Sequence, residues 1–252
     1  MPTYMLMQND RCQYECIHCG NQIQDLFKKY SATVLKLTEC QNCKNVADKY
    51  IEYDPVIVMI DLVLLNEQAY RHILWNTGFE GHWKLAAVLL LAETYCEWVS
   101  MKKQYSSLSN GGYKSTELMF EGEKYFYITC LQVLFGHMLL LATVLAVTKL
   151  YWIVFPKKYQ DNFTLLIFWK AFVLSNFGKF LTVAELIWDG NGNGITSSFV
   201  TIYVYLSQLH SYSVISKTSK TVAGFVVLLG FFTKTIITES ETLHVQLYKY
   251  AM

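Results

Sequence analysis

Charged residues are scarce in this chain of 252 residues. Asp, Glu, Lys and Arg make up 16% of it, whereas soluble domains usually carry about a quarter. Prolines number only three, while 53% of the residues are hydrophobic. The shortage of charge is uneven, because residues 1–82 hold an ordinary mixture and residues 83–238 contain several long apolar runs. This asymmetry predicts a small polar head on a membrane-embedded helical body.

A basic surplus is also missing. The net charge is +1, and residues 1–49 hold six Lys or Arg against five Asp or Glu. Because domains that bind nucleic acid usually display a basic face, we expect no nucleic-acid partner. The first residues, MPTYMLMQNDRCQYE, lack the basic start and apolar stretch of a signal peptide. We therefore expect the head to remain in the cytosol, where reduced thiols favour metal over disulfides.

Four of the seven cysteines form two C-x-x-C pairs. Cys16 and Cys19 make the first pair and Cys40 and Cys43 the second, at a spacing typical of zinc sites. Two such turns complete a tetrahedron of thiolates around Zn²⁺, which leaves no coordination position open for catalysis. Between the pairs, YSATVLKLTEC alternates and is rich in β-branched residues, as strands are. We predict a zinc ribbon with a structural Zn²⁺.

Other cysteines fit this site less well. Cys12 and His18 lie near the pairs but at poorer spacing, and Cys96 and Cys130 lie in apolar runs typical of buried hydrophobic residues. The sequence also shows no nucleophile beside a base. We therefore expect a protein that is not an enzyme.

The stretches after the second pair extend the pattern. ADKYIEYDPVIVMIDLVLL (47–65) and QAYRHILWN (68–76) follow CIHCG and CQNC. Together they resemble the N-terminal homology domain of the Arv family, endoplasmic-reticulum membrane proteins linked to sterol and lipid homeostasis. From the matched stretches we take candidates for an interface or docking role: Asp48, Tyr50, Glu52, Tyr70, Arg71, His72 and Asn76.

The resemblance implies a function in lipid handling. It predicts a protein of the endoplasmic-reticulum membrane, with a cytosolic N-terminus, that mediates intracellular sterol or lipid transport and homeostasis. Its partners would be membrane lipids, namely sterol and glycolipid-anchor precursors. The alternative is an accessory or scaffold protein for a membrane enzyme of glycolipid-anchor (GPI) or sphingolipid synthesis. Neither interpretation assigns a catalytic residue.

Residues 56–76 predict an amphipathic helix. Its polar residues fall on one arc at 100° per residue, and its apolar residues fall mostly on the other. So many charges make a poor spanning helix, but they fit a helix that lies in the membrane interface. An amphipathic helix packed on the ribbon fits the pattern equally well. We place this segment at 55–82, after a ribbon at 1–54.

Five apolar stretches predict a transmembrane body at 83–238, followed by a tail at 239–252. The stretches are 83–100, 125–148, 163–188, 195–216 and 221–238. The predicted fold is therefore an α-helical integral membrane protein with about five transmembrane helices and an N-terminal zinc ribbon. Lys and Arg place loops 156–162 and 217–220 in the cytosol and loop 189–194 in the lumen. The four Lys of loop 101–124 break this rule.

The third stretch carries a polar stripe. On a continuous helix, Ser175, Gly178, Lys179, Thr182 and Glu185 share one face. Ionisable residues inside a membrane are costly and usually face a cavity or a partner. Four of these residues, Ser175, Lys179, Thr182 and Glu185, are candidates for a path that a lipid head group follows, with Glu185 balancing the charge of Lys179. Packing between helices explains the same stripe as well.

Polar residues in the first two stretches add to this picture. Glu93 and Glu97 are four residues apart and are expected to face the same interior. His137 is isolated in the second stretch, which indicates a hydrogen-bonded contact between helices.

Overall fold

A computed structural model of the chain describes residues 14–31, 35–108, 115–155, 164–188 and 194–250. The head contains two short antiparallel pairs of strands, β1 (Tyr14–Glu15) with β2 (Gln22–Ile23) and β3 (Phe27–Lys29) with β4 (Leu35–Leu37). An isolated bridge joins Glu39 to Val46. The β1–β2 pair and this bridge each flank one C-x-x-C turn, so strand pairing closes both turns.

A helical segment follows the head in three pieces. Helix α1 (Pro55–Val63) begins at Asp54, whose side chain accepts a hydrogen bond from the Val56 amide. Helix α2 (Glu67–Arg71) is capped by Asn66, and a π-helical turn covers His72–Asn76. The prediction of one helix over 56–76 is wrong, because Leu65 has a positive φ of 59° that an α-helix cannot contain.

Five long helical segments form the body and overlap the five predicted stretches, although the first two also extend into the predicted loop at 101–124. They are α3 (His82–Leu108), α4 (Ser115–Val154), α5 (Leu165–Ser175) continued by a 3-10 turn (Asn176–Lys179) and α6 (Phe180–Trp188), α7 (Gly194–Ser216), and α8 (Lys220–Tyr250). Helix α8 continues through most of the predicted tail. The predicted loop at 156–162 and residues 189–193 of the predicted loop at 189–194 lie outside the described residues.

Among the described residues, two helical stretches are long and apolar enough to cross a membrane. They are Lys124–Val154 and Leu165–Ile187. The molecule is thus mostly helical, with two candidate spanning helices and a cysteine cluster in the head. Crossing by the other three segments stays a prediction.

The five segments pack in a closed ring. Helix α3 contacts α4, α4 contacts α8, α8 contacts α7, and α7 contacts α5 and α6, which return to α3. Gly178 allows the closest of these contacts, because a side chain there would meet the Tyr203 ring at 2.6 Å. We call the end at which α5 and α8 begin the head end, since Lys170 donates to the Gly78 carbonyl and Lys217 to the Gly20 carbonyl. The opposite end is the far end.

The 3-10 turn at Asn176–Lys179 changes which way the polar stripe faces. A 3-10 turn advances about 120° per residue and an α-helix about 100°, so four residues rotate the following face by roughly 80°. Ser175 is buried in the core between α4 and α7 and donates to the Phe172 carbonyl. Lys179 and Thr182 instead face α3. The predicted single face is therefore split.

Candidate functional site

Four cysteine thiols converge in the head. The sulfur atoms of Cys16, Cys19, Cys40 and Cys43 all lie within 4.8 Å of one another. Cys16 Sγ is 3.7 Å from Cys43 Sγ, and Cys19 Sγ is 3.6 Å from Cys40 Sγ. A tetrahedral site with metal–sulfur bonds of about 2.3 Å has sulfur–sulfur distances of about 3.8 Å. The four thiols therefore have the spacing that a metal ion requires.

Both cysteine turns have the same backbone geometry. The Gly20 amide donates to the Cys16 carbonyl, and the Lys44 amide donates to the Cys40 carbonyl, each at 2.9 Å. Gly20 and Lys44 both have positive φ, 69° and 61°. Glycine adopts this conformation without strain, whereas Lys44 does so at a cost. The sequence signalled the first turn through Gly20 and gave no such signal for the second.

The thiols differ in acidity before any metal contributes its charge. Burial raises the pKa of Cys16 to about 12. Burial also acts to raise the pKa of Cys19, but hydrogen bonds from the Asn21 amide and the Asn42 side chain lower it to about 7. A bound cation would favour the thiolate at all four positions.

A buried carboxylate ties the head to the π-helical turn. Asp48 is 0% exposed. Its Oδ1 accepts from the Tyr50 amide at 3.0 Å, and its Oδ2 accepts from His72 Nδ1 and Asn76 Nδ2, both at 2.6 Å. Asn76 also accepts from the Glu15 amide and donates to the Glu15 carbonyl, both at 3.0 Å. This network joins the two parts of the homology domain.

The first cysteine turn is also held from outside the ribbon. Arg71 of α2 donates to the carbonyls of Ile17 and His18 at 2.8 and 3.1 Å. Lys217, between α7 and α8, donates to the Gly20 carbonyl at 3.2 Å and pairs with Glu15 at 2.7 Å. The cysteine cluster in the head is therefore connected to the packing of α2 and of the α7–α8 turn.

Glu67 provides a second link between α2 and the body. Its carboxylate lies 2.6 Å from Lys220, 3.2 Å from His210 and 3.6 Å from Arg71. Burial acts to raise the pKa of Glu67, but the hydrogen bond and positive charge of Lys220 and the charge of Arg71 lower it overall.

Most of the docking candidates take part in these contacts within the chain. Tyr70 is 0% exposed and its hydroxyl lies 2.7 Å from Ser207 of α7. The Tyr50 hydroxyl donates to Asp61 at 2.5 Å. Asp48, Arg71, His72 and Asn76 bond within the chain as described, and only Glu52 of the seven candidates is exposed. These residues therefore hold the head together within the chain, and a docking role for them stays a prediction.

Helix α1 has an exposed apolar face. Its exposed side chains, with that of the next residue, are Val56, Ile57, Met59, Ile60, Val63 and Leu64. Asp61, on the opposite side, bonds to the ribbon through Tyr50. The side of α1 that carries Asp61 and the buried Val58 and Leu62 therefore packs against the rest of the chain. The interfacial position of the apolar side stays a prediction.

Charged side chains from four helices meet inside the ring. Glu93 of α3 is 7% exposed. Its Oε1 lies 3.2 Å from both Lys179 and Lys234, and its Oε2 lies 2.8 Å from His137 Nε2. Glu93 and Lys234 follow the first residues of α3 and α8 by about 17 and 21 Å at 1.5 Å per residue. The cluster is therefore deep in the ring.

A polar cavity adjoins this cluster on its far side. It has a volume of about 450 Å³ and is bordered by Glu93 and Lys179. Its wall includes Glu97, Ser100 and Lys103 of α3 and Thr182 and Glu185 of α6. Glu97 is exposed, so the cavity opens to the surface. Three of the four predicted path residues line it, and Ser175 does not.

Sequence reasoning missed how these charges pair. It expected Glu185 to balance Lys179, but Glu93 holds that position. It gave Lys234 no role and expected of His137 only a hydrogen-bonded contact between helices, yet both bond to Glu93. The available signal was that each is a single ionisable residue within a long apolar run.

The fold and these sites define a helical membrane protein with a four-cysteine head. Comparison with known proteins narrows this class. The chain matches the Arv1-like family model over residues 15–212 and belongs to that family. It is 32% identical to Protein ARV1 of Bos taurus over 221 residues, which cover 87% of this chain and 75% of that protein.

Two further relatives show similar sequence identity and coverage. Protein ARV1 of Mus musculus is 33% identical over 228 residues, covering 90% of this chain and 82% of the relative. Protein arv1 homolog of Dictyostelium discoideum is 30% identical over 232 residues, covering 87% and 91%. No solved structure matches the chain. The resemblance is confirmed, and membership in the family implies a role in sterol and lipid homeostasis.

Proposed function

We propose that this protein moves sterols or other lipids of the endoplasmic-reticulum membrane by admitting their polar ends into the cavity between α3 and α6. The observation that carries this proposal is the cluster of Glu93, His137, Lys179 and Lys234 at the base of that cavity. Lipid tails or rings would remain among the apolar helix surfaces while the polar end enters the cavity.

The cost of burying these charges supports a functional role. Ionisable groups within the hydrocarbon layer are expensive even when they are paired. Helix packing accounts for Ser175 and Gly178, which contact neighbouring helices directly. It does not account for a 450 Å³ cavity whose wall carries carboxylates and ammonium groups. We therefore favour the path interpretation for Lys179, Thr182 and Glu185, and the packing interpretation for Ser175.

All five body segments cross the bilayer in this proposal, with the head in the cytosol. Lys217 and Lys220 lie at the head end, which agrees with the preference of Lys and Arg for cytosolic loops. The far end is then lumenal. Lys103 is one of the four Lys that break the rule on that side, and it borders the cavity. A place in the cavity wall gives this exception a reason.

The metal in the head is Zn²⁺ with a structural role in this proposal. Four thiolates with tetrahedral spacing suit zinc and leave no open coordination position. Arg71 and Lys217 connect the first cysteine turn to α2 and to the α7–α8 turn. The zinc-bound head would thus hold α1 at the bilayer surface, with its apolar face toward lipid.

The second candidate function is a scaffold for a membrane enzyme of glycolipid-anchor or sphingolipid synthesis. The observation that favours it is the exposed apolar face of α1, which is large enough to contact another protein. A scaffold needs no cavity with a charged base, so this function explains less of the structure.

Reconstitution separates the two functions. Purified protein in liposomes should accelerate movement of fluorescent phospholipid or sterol, and Thr182→Val should slow it while Ser175→Ala should not. Both variants remove one hydroxyl, but only Thr182 lines the polar cavity. A folded, metal-loaded protein that moves no lipid alone would favour the scaffold.

A further inference from the structure

The charges of the cavity follow an order along its depth. At the base, one carboxylate, Glu93, faces two ammonium groups, Lys179 and Lys234, so this group carries one positive charge in surplus. Toward the far end the wall carries two carboxylates, Glu97 and Glu185, and one further ammonium group, Lys103, which follows Glu97 on α3. Glu97 lies one helical turn beyond Glu93 on α3, and Glu185 lies about 9 Å beyond Lys179 along the chain axis.

This order favours a ligand that carries both signs of charge. A phosphate suits the base, because ammonium groups bind phosphate oxygens by charge-assisted hydrogen bonds. A primary ammonium suits Glu97 and Glu185, since it donates up to three hydrogen bonds and carboxylates accept them. A sterol offers one hydroxyl and would leave the charges of the wall without a complement. A purely anionic head group would face the two carboxylates.

The direction of the order identifies the leaflet. In the leaflet at the far end, acyl chains point toward the bilayer centre, so the phosphate of a lipid lies deeper than its terminal amine. The cavity likewise has its surplus positive charge deeper than its carboxylates. A lipid of the leaflet at the head end would present the two charges in reverse order.

We propose that the cavity between α3 and α6 binds the phosphoethanolamine head group of a phospholipid from the far-end leaflet. The phosphate lies by Lys179 and the ammonium group by Glu97 and Glu185. This inference rests on the proposed lipid-handling function and adds the chemical class of the lipid.

The test is photocrosslinking of the full-length protein in vesicles. Probes share one photoactivatable acyl chain and differ in head group: phosphatidylethanolamine, phosphatidylcholine and phosphatidylglycerol. We expect phosphatidylethanolamine to label α3 and α6 peptides about tenfold more than phosphatidylglycerol, the ratio that one charge-assisted contact provides. Phosphatidylcholine should fall between them because its cation lacks N–H donors.

A variant makes the test specific to the wall. Glu97→Gln with Glu185→Gln should remove most of the preference for phosphatidylethanolamine over phosphatidylglycerol. Glu80→Gln is the matched control, because Glu80 is exposed and precedes α3 at the head end. An unchanged preference in the double variant would overturn the proposal.

The remaining outcomes separate this proposal from the function on which it rests. Equal labelling by all three probes would overturn the head-group assignment and leave lipid handling intact. No labelling of α3 or α6 by any probe would overturn both. Soluble phosphoethanolamine should fail to displace the lipid probe at equal concentration, and full displacement would assign the site to a free metabolite.

Discussion

Asp48 in the head and Glu93 in the body are both buried carboxylates that bond to a histidine, at 2.6 and 2.8 Å. Asp48 takes its other hydrogen bonds from an amide side chain and a backbone N–H. Glu93 faces two lysines and borders a cavity. A histidine, an amide side chain and a backbone N–H surround Asp48 and fix one structure, whereas the two lysines that face Glu93 lie beside space that a ligand can enter. Similar pairs therefore indicate structure in one region and function in the other.

Loss of the metal ligands should have the largest effect. Cys16→Ala or Cys40→Ser should unfold the ribbon and lower protein abundance, because apparent zinc-binding energies of roughly 10–16 kcal/mol are coupled to folding in small zinc domains. Elemental analysis should find one zinc per purified wild-type chain. Cys130→Ser, far from the cluster, should keep the metal. A folded and active wild-type preparation without zinc would contradict this account of the head.

Disruption of the Asp48 network should have the second-largest effect. Asp48→Ala leaves His72 and Asn76 without their shared acceptor and should destabilise the head by about 3–5 kcal/mol, as loss of one member of a buried polar pair does. Asp54→Ala removes only an exposed helix cap and should cost about 1 kcal/mol. Hydrogen exchange at the Glu15 amide can compare the two variants. Equal destabilisation by the two variants would show that the Asp48 network stabilises the head no more than an exposed helix cap does.

Substitutions in the Glu93 cluster should reduce lipid movement without unfolding the protein. Lys179→Leu should keep the protein folded, because Glu93 retains Lys234 and His137, but it should reduce lipid movement in liposomes about tenfold, or about 1.4 kcal/mol. Lys149→Leu makes the same change at an exposed site near the head end and should have little effect. Because Lys179 and Glu93 are in contact, combining Lys179→Leu with Glu93→Gln should give a non-additive loss. Strict additivity would argue against a functional pair.

The smallest expected effect is a weaker docking of the head on the body at acidic pH. The pKa of Glu67 is lowered from its ordinary value of 4.5, so its contribution to head docking is present above that value and lost as pH falls through the lowered pKa. Lys220→Met should weaken this pH dependence. Hydrogen exchange in residues 210–220 between pH 6 and pH 3 should be compared in the wild type and Lys220→Met, because the loss of zinc from the thiolates in acid is common to both. A difference in docking that grows as pH falls would contradict the sign.

Residue patterns predicted the parts of the fold that depend on local sequence. The cysteine set follows from spacing alone, and the five body segments follow from apolar length. The residue patterns predicted the wrong helix faces where the backbone departs from α-helical geometry. The positive φ of Leu65 and the 3-10 turn at Asn176–Lys179 each changed which residues share a face.

Pairing between distant residues was the other part that sequence did not determine. Glu93 and Lys234 are 141 residues apart and meet only because α3 and α8 close the same ring. The sequence made Asp48 and His72 candidates for an interface or docking role, since a single sequence does not distinguish a residue that binds a partner from one that binds its own chain. Burial in the folded structure made that distinction.

A native cysteine allows a direct test of the claim that the cavity receives lipid head groups. Cys96 lines the cavity beside Thr182, whereas Cys130 does not line it. A phospholipid carrying a maleimide on its head group should therefore label Cys96 in the zinc-loaded, reconstituted protein, and mass spectrometry should find Cys130 unlabelled. Equal labelling of both cysteines, or labelling of Cys130 alone, would contradict the account.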